Sequence, residues 1–249
     1  MKNKILGMAA LAAAMVLASP SAHATILLLP TLSPGGTENP NVNDASKTTL
    51  ASIGTLIATT GPVAFSGTNA SHSETTNGTY VEDVIREASG TLDFLIQFDV
   101  NTTGSGVAQG VDRLVATGFS LPGLVTNVGT LSNINLAGIS PNGTVAPVQD
   151  TRSSGTGNSI TWFDLFSHTG GMVTPGHTSW TLVIATNSFG NPVACTGCID
   201  ISTTDVPTLE NGFLPDSVAP VPEPVSIILL GTALALSAVF IRRRHASKV

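Results

Sequence analysis

The chain has 249 residues, and its ten basic and sixteen acidic side chains give a net charge of −6. A nucleic-acid partner would need a basic footprint, so that class is excluded. Aromatic residues make up 5% of the chain, which argues against a sugar-stacking platform built from exposed Trp and Tyr.

Taken from the N-terminus, Lys2 and Lys4 precede an apolar stretch, 5–18, that is too short for a comfortable membrane span. The stretch leads to an A-x-A cleavage site, Ala22-His23-Ala24, so 1–24 reads as a signal peptide cut by signal peptidase, leaving Thr25 as the mature N-terminus. The segment from 25 to 220 is large enough for one sandwich-sized domain with a real core. It holds Lys47, Arg86, Arg113 and Arg152 against fifteen acids, a net of −11. This is the surface of a soluble secreted protein, and it is also compatible with divalent cations or a hydrated polysaccharide matrix.

Within that body, Thr, Ser, Gly, Asn and Val punctuate short apolar runs, a composition that favours strands over helices. The first segment departs from this: in 44–58, Leu50, Ile53 and Ile57 fall at helical spacing behind an Asp44 cap, although Gly54 and the threonines weaken a helix. Strands are expected at 62–67 and 79–86. The clearest is 91–100, where Leu92, Phe94, Ile96, Phe98 and Val100 alternate with Thr91, Asp93, Gln97 and Asp99, Leu95 being the apolar exception. That alternation predicts a core face and a solvent face. Further strands are expected at 111–119, 134–139, 160–166 and 180–186, with Trp162, Trp180 and the phenylalanines in the core. The expected fold is all-β, an antiparallel β-sandwich or jelly-roll-like ectodomain over 25–205, followed by a proline-bearing linker, 206–220.

Chemistry-bearing motifs are sparse. Cys195 and Cys198 form a C-x-x-C pair that can be a structural disulfide, a thiol oxidoreductase or half of a metal site. Strand-like flanks, and no second ligand pair, favour the disulfide, because a redox pair draws its reactivity from a helix N-terminus. Asp164, His168 and His177 are the nearest polar cluster, in a turn-rich stretch. Asp93 and Asp99, as a glycosidase pair, would stand roughly 20 Å apart on one strand, beyond the roughly 5–10 Å that the chemistry needs. No cofactor or metal is expected, and no catalytic residue is assigned.

The C-terminal segment, 221–249, carries the most specific pattern. Val221-Pro222-Glu223-Pro224 precedes an uncharged run, 225–241, and then a basic tail, 242–249, that opens with Arg242-Arg243-Arg244. As a transmembrane helix the run would span about 26 Å, and the arginines snorkel to cover the rest of a core of about 30 Å. Three arginines would hold the end of the chain in the cytoplasm and place Glu223 outside, and the two prolines keep the motif extended.

This order resembles the PEP-CTERM sorting signal that an exosortase processes at the membrane of Gram-negative bacteria. The run Gly90-Thr91-Leu92-Asp93-Phe94, with Gln97 and Thr117-Gly118-Phe119, is similar to uncharacterised ectodomains attached to such tags. The resemblance implies an exosortase and the inner membrane as transient partners, and export to the cell envelope or extracellular matrix. The body is then expected to be a non-catalytic structural or adhesive module, with extracellular polysaccharide as a partner. The alternative is a secreted polysaccharide-acting enzyme or carbohydrate-binding module.

Overall fold

Wherever the chain is described, its β-branched and aromatic runs form strands and its Gly, Asn and Pro clusters form the turns between them. The computed structural model describes residues 29–38, 47, 49–69, 74–101, 107–108, 110–139, 143–163, 173–202 and 208–218. All belong to the first of two units into which the chain divides, Met1–Val218 and Ala219–Val249. The strands are β1 (Thr37–Glu38), β2 (Gly54–Thr59), β3 (Val63–Asn69), β4 (Glu74–Glu87), β5 (Leu92–Val100), β6 (Val107–Ala108) and β7 (Arg113–Thr117). They continue as β8 (Thr126–Leu131), β9 (Gln149–Arg152), β10 (Ser159–Phe163), β11 (Thr181–Thr186), β12 (Pro192–Ser202) and β13 (Leu209–Pro215). The strands expected around 62–67, 79–86, 91–100, 111–119, 160–166 and 180–186 correspond to β3, β4, β5, β7, β10 and β11.

Two sheets result. One runs β1-β9-β10-β7-β12-β13; the other runs β2-β4-β5-β11-β8, with β3 and β6 also pairing with the long β4. Among the described residues, every strand pairing is antiparallel except the two-residue contact of β6 with β4. Between the sheets lies the main core. Phe94, Ile96, Phe98, Val84, Leu182 and Ile184 from one sheet meet Leu114, Ile160, Trp162, Ile199 and Ile201 from the other. Phe94 packs edge-on against Phe119 at 5.4 Å, and Phe98 does the same with Phe65 at 6.4 Å, the orientation that ring quadrupoles favour. The described part of the body is therefore all-β and sandwich-like.

The alternation in β5 does place Leu92, Phe94, Ile96 and Phe98 on one buried face, but the other face is not open to solvent. Asp93, Leu95 and Gln97 are fully buried too. A second core covers that side, in which Leu29, Ile53, Ile134, Leu136 and Ile139 lie over Val81, Ile85, Leu95 and Val183. So β5 is a central strand with a core on each side.

Three further expectations change. The stretch 134–139 is not a strand but a loop laid over the sheet. Its backbone is satisfied by side chains: Thr181 Oγ1 donates to Ile134 O at 2.6 Å, and Leu136 N donates to Gln97 Oε1 at 2.8 Å. The helix expected in 44–58 is absent from its described part, which forms a 3-10 turn, Leu50–Ser52, capped reciprocally by Thr49 and Ser52, followed by β2. Gly54 opens β2 because a Cβ there would collide with the backbone of Arg86. Asp44 lies outside the described residues. The linker expected at 206–220 contains β13, which pairs with β12 from Pro192↔Pro215 to Asp200↔Leu209. Proline does not exclude a strand here: Pro215 ends an edge strand, where a missing N–H costs little.

Candidate functional sites

The processing residues Ala22, Ala24, Val221, Pro222, Glu223, Pro224, Arg242, Arg243 and Arg244 lie outside the described residues, as do Asp164 and His168. Among the described residues, no helix is long and apolar enough to cross a membrane; the run 225–241 is not among them.

Cys195 and Cys198 stand at disulfide distance on β12, with Cα atoms 5.9 Å apart. The register slips between Cys195 and Ile199, so the bridge spans a bulge whose Gly197 takes a φ of 67°. Both cysteines belong to a strand, and among the described residues no helix begins at either of them, which agrees with a structural bridge. Because the closed loop is so short, chain entropy gives it less than the roughly 3 kcal/mol of a fifteen-residue loop. Cys195→Ser should accordingly lower stability by less than about 3 kcal/mol in urea titration.

Beside this bridge lies a feature with no signal in the sequence. Glu82 of β4 points between the sheets and is buried, opposite Ile96 in register. Its Oε2 accepts from Phe213 N of β13 at 2.9 Å, and the nearby Tyr80 hydroxyl donates to Asn211 O at 2.6 Å. Burial, opposed by the Phe213 amide and reinforced by Asp83, pushes the Glu82 carboxyl up to about 8. Burial also raises the Tyr80 phenol. Gly212 makes room for this carboxyl, since a Cβ there would meet Glu82 Oε2 first and Cys198 Sγ at 3.1 Å. Tyr80, Cys195 and Phe213 line a cavity of about 330 Å³ at this place.

A second acidic group sits at the β4–β5 hairpin. Asp93 faces Glu87 on the neighbouring strand, not Asp99, whose Oδ1 accepts from Thr79 N at 2.7 Å. Burial and then the charge of Glu87 hold Asp93 well above the usual carboxylate range. Asp150 on β9 is also buried, which pushes it up to about 6 with the help of Glu38. His177 is exposed in a turn, its Nδ1 2.9 Å from Thr174 Oγ1. Among the described residues, no three His, Cys, Asp or Glu side chains gather as a metal centre would require.

Of the tryptophans, Trp162 is buried in the core and Trp180 is half-buried. No family model, curated protein or solved structure matches the chain.

Proposed function

We propose that the chain is an exported protein, cut after Ala24 by signal peptidase and processed by an exosortase while 225–241 crosses the inner membrane, then released to the cell envelope or extracellular matrix. The body acts there as a structural or adhesive module with no reaction of its own. The observation that carries this reading is the order of residues 221–244: a Pro-Glu-Pro motif, an apolar run and three arginines. An isolated tail anchor would give no reason for the motif at that spot.

The end of the body supports the same reading. Val218 bridges Ser188, so only Ala219 and Pro220 separate the described body from Val221 in sequence. The boundary proposed is therefore a body of 25–218 followed directly by the sorting signal 221–249. Burial of Trp162 and Tyr80 in the core favours a structural module over a sugar-stacking surface.

Intact-mass analysis tests the proposal. The wild type should lose its C-terminal run and begin within a few residues of Thr25. Replacing Glu223 and its flanking prolines by alanine should leave the full tail attached and the protein in the inner membrane. Equal retention of the tail in both forms would defeat the idea.

A further inference from the structure

The bridge between Cys195 and Cys198 has two unlike ends. Cys195 is half-buried and lines the cavity of about 330 Å³ together with Tyr80, the exposed Thr196 and Phe213. Cys198 is 5% exposed and belongs to the main core. A thiol arriving from solvent therefore meets the Cys195 end.

The buried end has an acid beside it. A Cβ built on Gly212 would meet Glu82 Oε2 and, at 3.1 Å, Cys198 Sγ, so the carboxyl and the sulfur share the gap that this glycine leaves. The carboxyl is held in place: Oε2 accepts from Phe213 N at 2.9 Å, and the Glu82 backbone N donates to Thr60 Oγ1 at 2.9 Å. Tyr80 and Asp83 of the same strand, Glu210 of β13, which acts on the Tyr80 phenol, and the Cys198 sulfur of β12 are the titratable groups around it. Burial pushes the Glu82 carboxyl up to about 8, so it carries a proton at neutral pH.

We propose that this bridge is a reducible switch, in which an external dithiol attacks Cys195 Sγ and the Glu82 carboxyl gives its proton to the departing Cys198 sulfur. One thiolate of the dithiol forms a new S–S bond to Cys195 as the Cys195–Cys198 bond breaks, and the electron pair leaves on Cys198 Sγ. The second thiolate then closes the reagent's own disulfide and releases Cys195, so the dithiol is oxidised and the bridge reduced by two electrons. Glu82 regains its proton from solvent. A thiolate left in a core is costly, and a carboxyl whose pKa lies near the thiol value of about 8.5 passes its proton with little change in free energy. The buried acid thus takes the place of the helix N-terminus that serves other redox pairs. Opening the bridge frees the bulge of β12 beside β13, while the body itself acts on no substrate.

Reduction of the oxidised full chain in detergent by dithiothreitol tests this, with rates expressed per thiolate. At about pH 6.5 the wild type should react at least about tenfold faster than Glu82→Gln, which keeps an acceptor for Phe213 N but has no proton to give. The wild-type rate should fall to the variant's or below as the pH passes through about 8, and the variant's should stay level. Matching rates and profiles would overturn the role of Glu82. A bridge reduced only as fast as the chain unfolds would overturn the switch. Should Glu82→Gln fail to fold, the wild-type profile decides, together with the adduct left by a monothiol such as glutathione after an alkylating quench. Peptide mass analysis should place that adduct on Cys195, and an adduct on Cys198 would count against the proposal.

Discussion

Phe94→Ala and Gln97→Ala, on opposite faces of the same strand, are each expected to destabilise the body by about 3–5 kcal/mol. For Phe94 the loss is a cavity: the ring is fully buried between the sheets and packs edge-on against Phe119. For Gln97 the loss is polar. Its Nε2 donates to Asn135 Oδ1 at 2.9 Å and Ser179 O at 3.0 Å, and its Oε1 accepts from Leu136 N at 2.8 Å. Alanine would leave buried backbone groups unpaired, at about 1–3 kcal/mol each, and loosen the loop that covers the second core. Against a typical margin of roughly 5–15 kcal/mol, either change is severe. Urea denaturation of both variants checks this; a Gln97→Ala cost below about 1 kcal/mol would mean that the covering loop stands on its own.

The second large effect is a fall in stability with rising pH. Glu82 has a higher pKa folded, about 8, than its ordinary value of 4.5. Between those values the folded state holds a proton that the unfolded chain gives up, so unfolding is favoured as the pH rises. The stabilising contribution is complete below about 4.5 and lost as the pH passes through 8, a change of about 4–5 kcal/mol. Asp93 and Asp150 are raised as well and act in the same direction. Glu82→Gln keeps an acceptor for Phe213 N and carries no charge. Its stability should retain the fall that Asp93 and Asp150 cause, lose the part that Glu82 causes up to pH 8, and exceed the wild type at about pH 9. Identical pH profiles of the two proteins would exclude Glu82 as the group responsible.

Much of the strand inventory is legible in the sequence because alternation is local: the side chains of 91–100 mark that strand almost to its ends. What covers a strand is not local. The solvent face expected for Asp93 and Gln97 is buried by Leu29, Ile53 and the 134–139 loop, all distant in sequence; Leu95, the apolar exception, is the one trace of it. The hydrophobic spacing of Leu50, Ile53 and Ile57 suits a helix, but Gly54 and the close approach of Arg86 decide for a turn and a strand. Strand character around the C-x-x-C pair is visible in its flanks, so the disulfide could be read there. The acidic sites could not, because the burial of Glu82 and Asp93 comes from tertiary contacts, with β13 meeting Glu82 and the second core covering the face that holds Asp93.

Under the proposed export, a chain that crosses N-terminus first delivers β13 last, yet Tyr80 and Glu82, more than a hundred residues earlier, take their partners from it. Until 209–215 has crossed, the outer strand of one sheet is missing and a buried carboxyl has no amide to meet. The body then finishes folding only when nearly all of it is outside, which keeps it pliable during passage and leaves the sorting tail as the last part still held at the membrane.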